Sequence, residues 1–342
     1  MKDYVNWAIL APGIIANSMA KAMKETSESD SRVRLYAVGS RDLKRSVEFA
    51  NKWGFEKAYG SYDDLLADPD VDAVYIANPH AFHMDSALAC LKKGKHVLCE
   101  KPAGCNLTQL NAMIDTAKLH NLFFMEAIWM DFNPCVNEIR RVIENGAIGD
   151  LKHIESRFCN RIPYDPDSRM WAPEQAGGAL LDLGIYNIYF SAMMNGHNPI
   201  KKMTSIVDMY KNVDAWENVS IVYDNGVTAN FQSACDRPAE YEGHDAVIWG
   251  TKGFITVSNF FYAQKAEIHT YDNEWGKENK ITEVIEKPFK VNGYEYEMIH
   301  ATECILAGKI ESNIHTFERT RTLCKTMDDL RADWGFKYPF EK

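Results

Sequence analysis

The chain has 342 residues, of which 46% are hydrophobic and 25% charged, and 38 Lys and Arg against 48 Asp and Glu give a formal net charge of −10. This length exceeds what one hydrophobic core usually supports, so two domains are expected. An acidic chain without a dense basic stripe is unsuited to nucleic acid and favours a soluble cytosolic protein.

The eight cysteines are scattered without a C-x-x-C pair, which predicts reduced thiols in a reducing compartment. His80 and His83 are closely spaced but no cysteine lies beside them, so no metal site is expected. Pro12 and Gly13 interrupt the apolar start, which argues against a secretion signal. No apolar run approaches the roughly 18 residues of a membrane span. We therefore expect a cytoplasmic protein with no membrane partner.

In chain order, the first third alternates strand-like apolar runs with segments of helical spacing. The predicted strands are Val5–Leu10, Arg34–Val38, Ala73–Ala77, His96–Cys99 and Phe123–Glu126, and the predicted helices are Ile15–Lys24, Asp42–Trp53, His83–Lys93 and Leu107–His120. Strands separated by such helices pair in parallel through right-handed crossovers. The pattern predicts an α/β domain over residues 1–125 with a doubly wound Rossmann sheet. Its ligand is expected beyond the carboxyl ends of the strands.

The loop after the first predicted strand reads LAPGIIANSMA. Ala11, Gly13 and Ala16 occupy the glycine places of G-x-G-x-x-G/A, with alanine replacing the first glycine. Gly13 would let the backbone approach a pyrophosphate, and the helix N-terminus behind it offers unpaired amides. The predicted cofactor contacts in this loop are Ala11, Pro12, Gly13, Ile14 and Ile15.

The tip of the second strand carries a hydroxyl and cations where NAD-preferring sites place a carboxylate. Ser40, Arg41 and Arg45 suit the 2′-phosphate of NADP, because guanidinium binds phosphate through paired hydrogen bonds. The alternative is that these are solvated charges at a helix start capped by Asp42. We predict NADP as the preferred cofactor, with NAD as the alternative.

Glu100, Lys101 and Pro102 directly follow the apolar run 97–99 at the end of the fourth predicted strand. A structural interpretation is open, since Glu–Lys pairs are common on surfaces and proline often ends a strand. The position is nevertheless the edge of the sheet at which ligands bind.

Asp182 and Tyr186 are four residues apart in the predicted helical stretch 180–190. Residues at i and i+4 share one helix face, so a carboxylate and a phenol can point into one cleft. The alternative is an acidic residue near a helix N-terminus followed by a half-buried core tyrosine.

After Glu126, period-two patterns replace the alternation of strands and helices. The predicted strands are Lys201–Tyr210, Asn218–Tyr223, Val227–Ala234, Ala246–Gly250 and Phe254–Val257, followed by helical segments Glu295–Ala307 and Phe317–Ala332. These predict an α+β substrate-binding domain over residues 126–342, built on a large, open, mainly antiparallel sheet.

Four blocks of this sequence resemble the Gfo/Idh/MocA oxidoreductases, in the order in which that family has them. They are YIANPHAFH (75–83), GKHVLCEKP (94–102), MEAIWMDFNP (125–134) and GGALLDLGIYNI (177–188). The chain is most similar to the branch that contains dihydrodiol and xylose dehydrogenases. Asp131, where that branch usually has arginine, and Ala176, where a third glycine is common, depart from the pattern.

The resemblance implies an NAD(P)-dependent dehydrogenase of a secondary alcohol or hemiacetal in a sugar, polyol or cyclic diol. Lys101 would stabilise charge on the substrate oxygen beside the nicotinamide. Tyr186 would be the general acid–base, because a nearby lysine lowers the pKa of a phenol from its usual value of about 10. Asp182 would orient the substrate or pair with Lys101.

The resemblance also implies the remaining contacts and the partners. Further cofactor contacts are expected at Asn78, Pro79, His80, His83, Glu100 and Lys101. Substrate contacts are expected at Lys101, Trp129, Phe158, Arg161, Arg169, Asp182 and Tyr186. A homodimer or homotetramer through the C-terminal sheet is expected. Two other functions stay open: a regulator that binds the dinucleotide without chemistry, and an enzyme that retains NAD(P) as an internal redox group.

Overall fold

The computed structural model describes residues 2–237, 245–271 and 279–341. The chain folds into two compact units, Met1–Trp129 with Lys290–Asp328, and Met130–Phe289 with Asp329–Lys342. These units are defined by how compactly the chain packs, whereas the predicted domains, 1–125 and 126–342, were defined by function. The predicted domains therefore stay a prediction. Nothing in the sequence pattern indicates that the segment Lys290–Asp328 belongs with the first unit.

The described residues form the following helices and strands. The strands are β1 (Val5–Leu10), β2 (Val33–Gly39), β3 (Lys57–Tyr59), β4 (Ala73–Ile76), β5 (His96–Glu100), β6 (Phe124–Ala127), β7 (Leu151–Cys159), β8 (Ile200–Tyr210), β9 (Val213–Tyr223), β10 (Thr228–Ala234), β11 (Ala246–Gly250), β12 (Gly253–Val257), β13 (Lys265–Tyr271) and β14 (Asn279–Glu286). The helices are α1 (Ile14–Ser27), α2 (Leu43–Trp53), α3 (Tyr62–Ala67), α4 (His83–Lys92), α5 (Leu107–His120), α6 (Pro134–Glu144), α7 (Ile185–Met194), α8 (Tyr294–Leu306) and α9 (Phe317–Asp333).

The first unit is built on a six-stranded sheet in the order β3-β2-β1-β4-β5-β6, with every neighbouring pair parallel. This is the doubly wound Rossmann order, in which ligands bind where the strand order reverses. The central strand β1 is buried along its whole length, as expected of a parallel strand covered on both faces. The predicted α/β class of this part of the chain is confirmed.

The second unit contains an eight-stranded sheet in the order β14-β13-β12-β11-β7-β10-β9-β8. Its neighbouring strands are antiparallel except β10 and β7, which run parallel. The predicted large, mainly antiparallel sheet is confirmed. Helix α7 packs on β7 and β10, so one face of the sheet supports the helix that carries Tyr186.

Several elements differ from the sequence prediction. Helices α3 and α6 and strands β3, β7, β13 and β14 were not predicted. Strand β9 begins at Val213 rather than Asn218, because the buried Asp214 and Glu217 interrupt its apolar pattern. The stretch predicted as one helix from 180 starts as a π-helical turn, Leu180–Gly184, before α7 continues.

None of the helices in the described part of the chain combines the length and the apolar character needed to cross a membrane.

Candidate active site

The loop after β1 leaves open space beside its glycine. Gly13 is extended (φ −99°, ψ −162°), and a Cβ built there would come no closer than 3.9 Å to another described atom, the carbonyl oxygen of Ala11. Contacts within the described protein therefore do not demand glycine here. Gly13 has no side chain with which to cap the N-terminus of α1, and Ile14 is 94% exposed. These features fit a pyrophosphate lying over the loop, with the first amides of α1 directed at it.

Ala11 stands where the fingerprint has its first glycine, and it adopts a conformation that favours glycine. Its φ is +70°, in the left-handed region that glycine adopts at little cost and alanine adopts at a penalty. Its amide donates to the carbonyl oxygen of Gly39 at 3.0 Å, which ties the loop to the end of β2. The chain thus keeps the loop conformation associated with the glycine fingerprint.

The tip of β2 carries two exposed arginines, Arg41 and Arg45. Burial raises the pKa of Tyr62, and the guanidinium groups of both arginines oppose that shift. All three side chains therefore share one neighbourhood. Arg45 also donates to the carbonyl oxygen of Pro12 at 3.4 Å. The carboxylate of Asp42 accepts from the amide of Lys44 as a helix cap, which is the cap that the alternative of solvated charges at a helix start expects.

The end of β4 is tied to the end of β5 by His83. Its Nδ1 lies 2.8 Å from the carbonyl oxygen of Pro102, and its Nε2 lies 2.7 Å from that of Asn78. The ring is fully buried; burial lowers its pKa, with the charge of Lys101 acting in the same direction. His80 is also buried, with its ring centroid 5.7 Å from that of His83. This placement favours a supporting role for His83 over direct contact with a cofactor.

Glu100 is a buried anchor behind Lys101. It accepts hydrogen bonds from the hydroxyl of Tyr75 and from the backbone amide of Lys101, the latter at 3.2 Å. The Lys101–Pro102 peptide bond is cis. Glu126 accepts from the amide of Ala103 at 2.8 Å. The main chain that presents Lys101 is therefore held on both sides by buried carboxylates.

In the second unit, Tyr186 lies in a group of aromatic rings. Its ring centroid is 5.8 Å from that of Phe158 and 5.8 Å from that of Phe261. Phe158 and Phe261 are stacked, with centroids 4.0 Å apart and planes 18° apart. The predicted neighbours Phe158 and Tyr186 are therefore brought together. Phe261 was not predicted, since a Phe-Phe-Tyr run after a strand carries no signal that distinguishes it from core.

Asp182 is held by Arg169 within the same unit. Nη2 of Arg169 donates to Oδ2 at 3.0 Å, and Nη1 donates to Oδ1 at 3.2 Å. The side chain of Asp182 is 11% exposed and that of Arg169 45%. The structure therefore brings together two of the residues that the sequence singled out and orients the carboxylate. A π-turn is wider than an α-turn, and such turns occur frequently at functional sites.

The remaining predicted contacts lie in different surroundings. Trp129 belongs to the first unit, is 8% exposed, and has its ring 4.7 Å from that of Tyr294. Arg161 is exposed and forms an isolated backbone bridge with Asp236. Asp131 is buried and accepts a hydrogen bond from the hydroxyl of Tyr189, so this departure from the family pattern is part of the packing.

Comparisons with known proteins match both halves of the chain. Residues 5–127 match the family described as "Oxidoreductase family, NAD-binding Rossmann fold", and residues 136–256 match "GFO/IDH/MocA C-terminal domain". Trans-1,2-dihydrobenzene-1,2-diol dehydrogenase of Mus musculus is 33% identical, covering 99% of both chains. The Xenopus tropicalis protein of the same name is 34% identical, over 97% of this chain and 99% of its own.

Solved structures share the fold at lower identity. Levoglucosan dehydrogenase in complex with NADH and L-sorbose has a TM-score of 0.84 at 18% identity, covering 98% of this chain and 97% of its own. A 3-ketoreductase from Actinomadura kijaniata in complex with NADP and TDP-benzene has a TM-score of 0.83 at 21% identity, covering 96% and 97%.

Proposed function

The chain belongs to the GFO/IDH/MocA oxidoreductase family, and from this premise we propose that it transfers a hydride between NAD(P) and a secondary alcohol or hemiacetal of a cyclic diol, sugar or polyol. The observation that carries the proposal is the arrangement around Tyr186. A phenol lies beside two stacked aromatic rings, Phe158 and Phe261. Such a wall suits a flat ring that carries hydroxyl groups. The dihydrodiol dehydrogenases, which are similar over the whole chain, make a cyclic diol the first substrate class to test.

In this proposal Tyr186 moves the hydroxyl proton. When bound, the nicotinamide accepts or supplies the hydride. Tyr186 takes the proton from the substrate hydroxyl during oxidation and returns it during reduction. Lys101 stabilises negative charge on the substrate oxygen. Asp182, fixed by Arg169, orients the substrate hydroxyls.

The loop after β1 and the tip of β2 would hold the dinucleotide. The open side of Gly13 and the start of α1 would receive the pyrophosphate. Arg41 and Arg45 would bind the 2′-phosphate of NADP through charge-assisted hydrogen bonds. The carboxylate at this tip, Asp42, caps α2 and is thereby occupied rather than offered to a ribose 2′-hydroxyl. We therefore propose NADP as the preferred cofactor.

We also propose a cytoplasmic homo-oligomer. None of the eight cysteines, all of which lie in the described part of the chain, forms a disulfide, and seven of them are buried, which suits a reducing compartment. One face of the eight-stranded sheet carries buried isoleucines, and the opposite face carries partly exposed side chains. One of these is Trp249, whose ring lies 5.5 Å from that of His153. This face supports pairing with a second copy, and sedimentation velocity would test it.

The test is an assay of the purified chain with NADPH or NADH and a panel of trans-dihydrodiols, inositols, aldoses and their oxidised forms. Absorbance of the reduced nicotinamide should change in proportion to added substrate, with repeated release of cofactor. Cofactor binding without turnover on any member would support the regulator instead. Turnover without cofactor release would support a retained redox group.

A further inference from the structure

A β-bulge in β9 brings two buried carboxyl groups to the same side of the sheet. Asp208 of β8 pairs with Trp216, and the next residue, Met209, pairs with Asp214, so Ala215 is an extra residue. Residues three apart normally lie on opposite faces of a strand. The bulge changes that alternation, so Asp214 and Glu217 can face the same segment of chain.

Asp214 contacts the start of the turn that carries Asp182. Its Oδ2 accepts from the amide of Leu180 at 2.5 Å. A Cβ built on Gly178 would lie 2.1 Å from Oδ1 of Asp214. The carboxyl group therefore occupies the space that a side chain at position 178 would need, and this is a reason for glycine there beyond its φ of +117°.

Glu217 contacts the end of the same turn. A Cβ built on Gly184 would lie 2.7 Å from Oε1 of Glu217 and 3.1 Å from the hydroxyl of Ser233. Glu217 is fully buried; neither carboxyl oxygen meets hydrogen-bond geometry with another described atom, and the hydroxyl of Ser233 is the polar group that opposes the rise of its pKa. A buried group of this kind is costly, so its retention against Gly184 requires an explanation.

The two carboxyl groups avoid burying two negative charges. Burial raises the pKa of Asp214 to about 7, and burial together with the charge of Asp214 raises the pKa of Glu217 well above its usual range. A protonated Glu217 is neutral and can remain in this position. Asp214 keeps an oxygen available for the Leu180 amide in either protonation state.

We propose that Asp214 and Glu217 are positioning residues, which hold the two ends of the π-helical turn Leu180–Gly184 and so fix where Asp182 and Tyr186 present their side chains. The inference rests on the proposed function, because it assigns the pair a part in the chemistry of Tyr186. It also explains why a helix that begins with an irregular turn holds two functional side chains in one arrangement.

The first test compares Asp214→Asn with Asp214→Ala. Asparagine keeps an acceptor for the Leu180 amide, so kcat should stay within about twofold of the wild type. Alanine removes the acceptor, so kcat should fall roughly ten- to hundredfold while cofactor Kd is unchanged. The control is Ser191→Ala in α7, the helix that carries Tyr186. This change removes a buried hydroxyl that hydrogen-bonds with the hydroxyl of Tyr223, and it should leave kcat unchanged at equal folded fraction.

The second test is a rescue that does not depend on Asp214. Gly184→Ala should lower kcat, because the new Cβ displaces the turn from Glu217. Adding Glu217→Ala removes the obstructing carboxyl, so the double variant should turn over faster than Gly184→Ala alone. A double variant that turns over no faster than Gly184→Ala would overturn the proposal.

Hydrogen exchange separates this proposal from the proposed function. In Asp214→Ala the amides of residues 180–186 should exchange faster without substrate, whereas those of β5 should not. Unchanged exchange and unchanged kcat in Asp214→Ala would overturn the positioning role. A different result would be faster exchange in Asp214→Ala together with full activity of Tyr186→Phe. That result would overturn the role of Tyr186, and with it the claim that Asp214 and Glu217 serve catalysis.

Discussion

Arg169 donates to both carboxylate oxygens of Asp182, from Nη2 to Oδ2 at 3.0 Å and from Nη1 to Oδ1 at 3.2 Å. A lysine cannot reproduce this fork. We expect Arg169→Lys to lower kcat/KM for the alcohol roughly five- to tenfold, because Asp182 loses its fixed orientation. Steady-state kinetics in an Asp182→Asn background supply the control, where the same substitution should have little further effect. Equal effects in both backgrounds would show that Arg169 acts independently of Asp182.

The arginines at the tip of β2 predict the cofactor preference. NADPH should bind more tightly than NADH, and Arg41→Ala should narrow the difference by roughly 1 to 2 kcal/mol by removing a partner of the 2′-phosphate. Titration calorimetry with both cofactors measures this. The matched control is Lys44→Ala, since Lys44 is also a cation at the start of α2 but faces Glu48. Equal affinities of the unmodified chain for the two cofactors would contradict the preference.

Because there is open space beside Gly13, a substitution there can test whether this glycine is needed for cofactor binding or for folding. Gly13→Val should abolish binding of either cofactor, because the branched side chain would occupy the path of the pyrophosphate. The melting temperature should change little, since the nearest atom to a new Cβ is 3.9 Å away and φ is −99°. The affinity of Gly13→Ala for either cofactor should lie between that of the wild type and that of Gly13→Val. Unchanged binding by the valine variant would place the phosphate loop elsewhere.

Two alanines in the described part of the chain occupy left-handed conformations, Ala11 at φ +70° and Ala176 at φ +59°. Alanine pays roughly 1 to 2 kcal/mol for this conformation, and glycine does not. Ala11→Gly and Ala176→Gly should therefore raise the free energy of unfolding by up to about 1 kcal/mol, after the greater chain entropy of glycine is subtracted. Urea denaturation checks this against Ala20→Gly inside α1, which should lose about 1 kcal/mol or more. If Ala11→Gly instead lowered the free energy of unfolding as much as Ala20→Gly does, the proposed backbone strain at Ala11 would be contradicted.

Much of the first unit could be predicted from sequence, because its buried strands and amphipathic helices repeat a simple alternation. The predicted helix Leu107–His120 has the bounds that the structure gives. Strand β3 was missed because it is short and its first residue, Lys57, is exposed. The return of Lys290–Asp328 to this unit depends on packing between segments distant in sequence, which a linear pattern does not contain.

The candidate site could be predicted only where motifs name residues. Tyr186 and Asp182 stand in a recognisable block, whereas Phe261 and Arg169 become their neighbours only through folding. Strand β9 was predicted too short because buried carboxyl groups replace apolar residues at its start. Local rules fail where a chain keeps polar groups in its interior, and such places are often functional.

The central claim is that Tyr186 and Lys101 serve one proton transfer, and the most direct measurement is kcat for Tyr186→Phe, Lys101→Ala and the double variant at saturating cofactor. Phenylalanine keeps the ring beside Phe158 and removes only the hydroxyl, so kcat should fall by roughly two orders of magnitude or more while cofactor Kd stays nearly constant. The double variant should be little slower than either single variant, since residues that serve one step are not additive. A Tyr186→Phe enzyme that keeps most of its kcat, or losses that multiply in the double variant, would contradict the account.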